Sequence, residues 1–472
     1  MLRLALRQAV FPLLLAAALP ARAFQPPSIL PPLSPSQEAG IDELAQRVLR
    51  NSGAAGASLA VVKDGRIAYV QAYGYGRLEP RILARPSMVF DIGSVSKQFV
   101  ATGILMLAER GKLSLDDPVS RFFPDLTRAH QVTIRELLSH TSGYRDYWPQ
   151  DYLPPYMEAP VTPRRILDRW ARLPLDFEPG TQWQYSNTGY VIAGLILEKA
   201  AGMSLMNFLK ENIFDPLGMK QVADADAGAL RLSDAAGYLR YAAGPEYLAP
   251  QEGKGWLFSA AELGMTAEDL GIWDLAMIQQ RLLSPASYRE MQREVLLSDG
   301  EGARYGLGIG IQSLSGHRLL EHSGSVSGYC SENYVFPDDG AAIAVLTNQD
   351  LTMAASDIAR GVAGLLFAAQ DSSAEQARTQ ASAVFRSLQH GAIDRSLLTA
   401  DANSYFTAQA LKDFAASFPP PDQASPLVQT LERERGGMTL RVYSLSFAGR
   451  AWELFVRTMP DGKIEEYMMT PE

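Results

Sequence analysis

Val89-Phe90-Asp91-Ile92-Gly93-Ser94-Val95-Ser96-Lys97 reads as a short strand running directly into a helix. From Val95 the chain continues to Arg110 with apolar residues at Phe99, Val100, Ile104, Leu105, Leu107 and Ala108. These fall roughly on one helical face, and Gly111 stops the helix. Ser94 is therefore expected in a first helical turn, beside unpaired backbone N–H groups and the positive end of the helix dipole. Both favour an alkoxide and then an oxyanion. Lys97 lies three residues on and shares the face of Ser94. A desolvated lysine can lose its proton near neutral pH and act as a base. Taken alone the pattern is weak, since about one Ser-x-x-Lys arises by chance in such a chain. On this motif alone, a serine cap followed by a solvated lysine is the favoured explanation.

Outward from this stretch, a helix is expected from about Ser36 to Asn51. Ala57–Val62 and Arg66–Tyr73 read as strands joined at Lys63-Asp64-Gly65, whose Asp-Gly pair marks a hairpin. Ile134–Leu138, Pro163–Trp170 and Tyr190–Ala201 read as short helices, and Thr266-Ala-Glu-Asp269 opens another. Tyr305–Ile311, Arg318–His322, Tyr329–Phe336 and Ala341–Thr347 read as strands, and Ser356–Phe367 as a closing helix. Strands at both ends with helices between them give a mixed α/β chain of the α+β type. One antiparallel sheet is flanked by helices and carries a helical subdomain. Asp371–Gln380 is polar and reads as a linker. Beyond it, helices at Ala381–Gln389 and Thr407–Phe418 precede strands at Val428–Arg435, Met438–Phe447, Arg450–Met459 and Ile464–Met469. These form a small C-terminal α+β domain, whose aromatics Trp452, Phe455 and Tyr467 are expected in its core.

The 472 residues are 47% hydrophobic and carry a formal net charge of -9 with no long basic run, so nucleic acid is not an expected partner. Arg3 and Arg7, the apolar Ala9–Leu19 and the small-x-small Ala21-Arg22-Ala23 read as a signal peptide cleaved after Ala23. The expected division is thus 1–23 signal, 24–370 catalytic domain, 371–472 linker and C-terminal domain. Its product would be a periplasmic or secreted protein with no membrane span in the mature chain. Cys330 is the single cysteine, and the five histidines include no HExxH pattern. No metal or other cofactor is expected.

Two further segments can carry chemistry. Tyr185-Ser186-Asn187 follows the turn Glu178-Pro179-Gly180-Thr181 and precedes a helix. A tyrosine near a lysine could have a depressed pKa and shuttle a proton. Asn187 could donate to a substrate carbonyl and accept from the lysine. His322-Ser323-Gly324-Ser325 ends an expected strand. Gly324 would let a substrate backbone approach, the N–H of Ser325 could be an oxyanion donor, and a protonated His322 could bind a substrate carboxylate. Each segment alone is as well explained by an ordinary loop or a packed strand.

Together, and in this order, the three segments resemble the serine β-lactamases and penicillin-binding proteins. The resemblance is strongest to the group holding class C β-lactamases, D-alanyl-D-alanine carboxypeptidases, D-aminopeptidases and related esterases. Leu137-Leu-Ser-His-Thr-Ser-Gly143, Pro179-Gly-Thr-Gln-Trp-Gln-Tyr-Ser-Asn187 and Tyr305-Gly-Leu-Gly308 add to it, over about residues 36 to 367. The resemblance implies a sheet-plus-helical-domain fold with the site between the two. It implies acylation of Ser94, a proton shared by Lys97 and Tyr185, and an oxyanion hole from the N–H groups of Ser94 and Ser325. It places Asn187, His322, Ser323, Gly324 and Ser325 at the substrate. His140, Thr141 and Ser142 read as structural. Class C β-lactamases carry lysine where this chain has His322, which is expected to be largely neutral at pH 7 and to bind a carboxylate more weakly, so the histidine resembles the carboxypeptidase and D-aminopeptidase side. The expected activity is cleavage of peptide, amide or ester bonds in a small-molecule or peptide substrate, with cell-wall D-amino-acid peptides favoured. A β-lactamase, a small-ester esterase and a non-catalytic or self-assembling binder stay open, as does the oligomeric state.

Overall fold

The structure, a computed structural model, describes residues 33–228, 234–367, 372–418, 425–435, 437–447 and 450–471. The expected signal peptide and Pro-rich stretch up to Pro32 lie outside the described residues.

Seven strands form an antiparallel sheet in the order Ile82–Leu83, Arg66–Arg77, Gly56–Lys63, Ala341–Thr347, Tyr329–Phe336, His317–Val326, Gly310–Leu314. The hairpin expected at Asp64-Gly65 forms there, with Lys63 opposite Arg66. Both turn residues have positive φ, 52° and 69°, as a two-residue hairpin of this hand requires. The interior strand Gly56–Lys63 is an almost unbroken apolar run because both of its faces are covered. Leu59 and Val61 point to one side, with Ile343 and Val345. There they pack on helices Pro35–Ser52 and Ala354–Phe367. Ala60 and Val62 point to the other side, with Ala342, Ala344 and Leu346, into the core shared with the helical region. Helix Pro35–Ser52 starts at a Ser34–Gln37 capping box and ends at Gly53, which takes a left-handed conformation.

Helix Ser96–Glu109 runs through that second core. The sequence suggested one apolar face, but every residue from Ser96 to Leu107 is buried. Its polar members must therefore find partners inside. Gln98 does so through a chain in which Trp273 Nε1 donates to its Oε1 (2.7 Å) and its Nε2 donates to Asn333 (3.0 Å). Asn333 in turn donates to Asp274 (2.8 Å).

The C-terminal unit has its own core, built from Val384, Leu388, Tyr443, Leu454 and Tyr467. Its four strands, Val428–Arg435, Met438–Phe447, Arg450–Thr458 and Ile464–Pro471, pair antiparallel in sequence order. The segment read as a linker is helical, since one helix spans Ser372–Gln389. Ala377, Ala381, Val384, Phe385 and Leu388 are buried along it at helical spacing. Among the described residues no single helix is long and apolar enough to cross a membrane.

Candidate active site

Ser94 sits in a single 3-10 turn, Gly93–Val95, that feeds helix Ser96–Glu109. It is partly exposed, whereas Lys97 is fully buried. The Lys97 Nζ lies 2.9 Å from Ser94 Oγ, 2.8 Å from Asn187 Oδ1 and 2.7 Å from the carbonyl oxygen of Ala260. The rings of Tyr185 and Tyr190 lie 4.8 and 5.3 Å from it. Burial lowers the Lys97 pKa to about 7, opposed by the negative charge of Asp146. A neutral amine has two hydrogens and one lone pair. The Asn187 and Ala260 oxygens can only accept, so they take the two hydrogens, and the lone pair is left facing the Ser94 hydroxyl.

The Tyr185–Asn187 loop is held by the segment His140–Asp146. Gly180 N donates to Thr141 O (2.8 Å) and Gln184 N to His140 O (3.0 Å). Ser186 N donates to His140 Nδ1 (3.1 Å), and Asn187 N to Asp146 Oδ1 (3.1 Å). Asn187 Nδ2 also donates to Asp146 Oδ2 (3.2 Å). His140 stacks on Tyr185 with ring centroids 4.2 Å apart, and burial drives its pKa well down. Its φ is +61°, a strained value for a non-glycine residue, kept because its side chain and carbonyl both brace the loop. The structural reading of His140 is thus given a definite content.

Tyr185 differs from the sequence expectation. Its hydroxyl is buried and makes no hydrogen bond of ordinary geometry, with Ser94 as its polar neighbour. Burial raises its pKa far above the ordinary phenol range, outweighing the lowering from nearby Ser94. The resting residue is a neutral phenol, able to pass a proton but not to act as a standing phenolate.

His322 is held on both sides. Its Nδ1 faces the carbonyl oxygen of Ser323 at 2.6 Å, and its Nε2 faces the Tyr305 hydroxyl at 2.8 Å. A carbonyl only accepts, so Nδ1 carries the proton and Nε2 accepts from Tyr305. Burial, with the nearby Lys97 charge, lowers its pKa to about 3. The ring, expected to bind a carboxylate only when protonated, is neutral with both nitrogens satisfied.

Gly324 has an unexpected neighbour. A Cβ there would lie 2.0 Å from the Ile92 carbonyl oxygen, so it is the chain's own turn that approaches. Gly93 has φ +53°, and a Cβ there would lie 2.9 Å from Ser325 N. This pair of glycines brings the Ser94 turn against the strand end at Ser325, bringing together the two backbone segments expected to supply oxyanion donors. The side chains of Ser323 and Ser325 are exposed.

The sequence did not single out Asp146, Tyr305 as the partner of His322, or the Ala260 carbonyl. Asp146 lies six residues after His140, and only its position beneath Asn187 marks it.

A family model described as Beta-lactamase matches residues 41–366. A penicillin-binding protein of Bacillus subtilis (strain 168) is 31% identical over 307 residues, covering 62% of this chain and 68% of its own length. A D-aminopeptidase of Gluconobacter oxydans (strain 621H) is 28% identical over 312 residues, 64% of this chain and 57% of its own length. The solved D-stereospecific amidohydrolase from Streptomyces sp. aligns with a TM-score of 0.60 at 26% identity, covering 68% of this chain and 96% of that one.

Proposed function

The chain belongs to the beta-lactamase family and is a serine hydrolase, and we propose that it cleaves amide bonds of D-aminoacyl amides or peptides through an acyl-enzyme on Ser94. The Lys97 amine, held by two acceptors and facing Ser94 at 2.9 Å, is the observation that carries this reading. Neutral Lys97 takes the Ser94 proton as Oγ attacks the substrate carbonyl carbon. The Oγ–C bond forms and the carbonyl electron pair moves to oxygen, where the N–H groups of Ser94 and Ser325 receive it. Collapse breaks the C–N bond, and the proton on Lys97 passes through the neutral Tyr185 hydroxyl to the departing amine. Water then attacks the ester, its proton returning by the same route, and Ser94 is regenerated.

The neutral state of His322 favours the amide and aminopeptidase side over the carboxypeptidase and β-lactamase side. Substrates of the latter present a free carboxylate, and this ring offers it no charge. The names of the D-aminopeptidase and D-stereospecific amidohydrolase relatives agree with this side. Export to the periplasm or the medium, with cleavage after Ala23, completes the reading.

The test is a panel of D- and L-aminoacyl amides, acyl-D-Ala-D-Ala, a chromogenic cephalosporin and a nitrophenyl ester. The expected result is highest kcat/KM on a D-aminoacyl amide. Highest kcat/KM on acyl-D-Ala-D-Ala or on the cephalosporin would contradict it.

A further inference from the structure

Asp146 is buried, with 8% of its surface exposed, and lies behind the catalytic cluster. Its carboxylate receives Trp148 N (3.1 Å) and Asn187 N (3.1 Å) on Oδ1, and Asn187 Nδ2 (3.2 Å) on Oδ2. All three partners are donors, and a protonated carboxyl would turn a hydrogen toward one of them. Burial raises the Asp146 pKa, and these three donors with the Lys97 charge oppose that rise, so the ionised form is the one the contacts satisfy.

Holding Nδ2 on one side fixes which way the Asn187 amide faces. Its oxygen is then presented to Lys97 at 2.8 Å, and a flipped amide would turn a donor toward the amine. The groups facing Lys97 are few. They are Ser94 Oγ, the Asn187 and Ala260 oxygens, the Tyr185 and Tyr190 rings, and the imidazoles of His140 and His322. Both imidazoles are held neutral. Asp146 is the carboxylate whose charge acts on Lys97 against the effect of burial.

We propose that Asp146 is a positioning residue for acylation: it locks the Asn187 amide with its oxygen toward Lys97 and sets a carboxylate on the far side of that amide from the amine. This rests on the Ser94–Lys97 reading but on no choice of substrate. Without Asp146 the amine would lose its proton at lower pH, and the lone pair would be aimed less well. The two effects separate, because one moves the midpoint of a pH profile and the other lowers its plateau.

The test is the rate of fluorophosphonate labelling of Ser94 in the full-length protein between pH 4 and 9. In this reaction Oγ–P forms, P–F breaks, fluoride leaves and the Ser94 proton goes to Lys97. Asp146→Asn is expected to move the acid midpoint down by about one pH unit, the size of effect a nearby charge has on a buried group. Its plateau is expected to fall by roughly tenfold, a loss that does not multiply with that of Asn187→Ala. Asp146→Glu keeps the charge, so its midpoint stays near that of the wild type while its plateau falls. An unmoved midpoint in folded Asp146→Asn, or plateau losses that multiply, would overturn the proposal. If Asp146→Asn does not fold, a midpoint in Asp146→Glu displaced by a full unit would do so. Absence of any wild-type labelling would instead sink the Ser94 reading itself.

Discussion

Lys97 and His322 are both basic side chains buried at one site, and burial lowers the pKa of each. Lys97 comes to rest at about 7 and His322 at about 3. The ordinary values of the two groups, 10.5 and 6.5, already account for that gap, since each is displaced downward by a similar amount. Lys97 has the Asp146 carboxylate nearby, which offsets part of the desolvation. On His322 the Ser323 carbonyl favours the charged ring, and the Lys97 charge works against it. One desolvated base is left poised to exchange a proton, and the other is silenced. Burial alone does not make a catalytic base. The value from which burial displaces the group decides whether it titrates in the working range, and a nearby charge such as that of Asp146 trims the displacement.

The comparison can be broken most sharply at Lys97. Lys97→Ala should reduce Ser94 acylation by about 10^4-fold or more, nearly as much as Ser94→Ala, because such residues act as a unit. Mass spectrometry of labelled protein and amide turnover would both report it. The wild-type rate should also fall about tenfold per pH unit below roughly pH 7, where Lys97 gains a proton and can no longer take one from Ser94. A smaller effect is expected at the silenced base. His322→Lys would put an ammonium where the neutral ring stands. It should raise kcat/KM for carboxylate-bearing substrates relative to amides by about ten- to a hundredfold, the worth of a hydrogen bond to a charged group. An unchanged ratio would place substrate carboxylates elsewhere. The smallest effect belongs to Tyr305→Phe. It removes the donor to His322 Nε2 and should cost about 1–3 kcal/mol of stability, read by denaturant unfolding.

Legibility in the sequence follows the same division. Ser94 with Lys97, and Tyr185 with Asn187, are local patterns, and the strands Tyr329–Phe336 and Ala341–Thr347 fall where their apolar runs placed them. Asp146 was not legible, because its role depends on a loop 41 residues away folding over it. The Ala260 carbonyl is 163 residues from Lys97 and carries no side-chain signature. The protonation of Tyr185 is not legible because burial sets it, and a motif does not state burial. Helix Ser372–Gln389 was half missed because its first turns are polar. The apolar spacing that continues it begins only at Ala377.

The central claim is that Ser94 is activated by a lysine that is neutral in the working range. Intact-mass and peptide mapping of the wild-type protein after fluorophosphonate exposure, repeated across pH, tests it most directly. The account predicts one adduct, on the Ser94 peptide, forming at a rate whose acid midpoint lies near pH 7. No adduct on folded protein, an adduct on another serine, or a Ser94 rate indifferent to pH from 5 to 9 would contradict it.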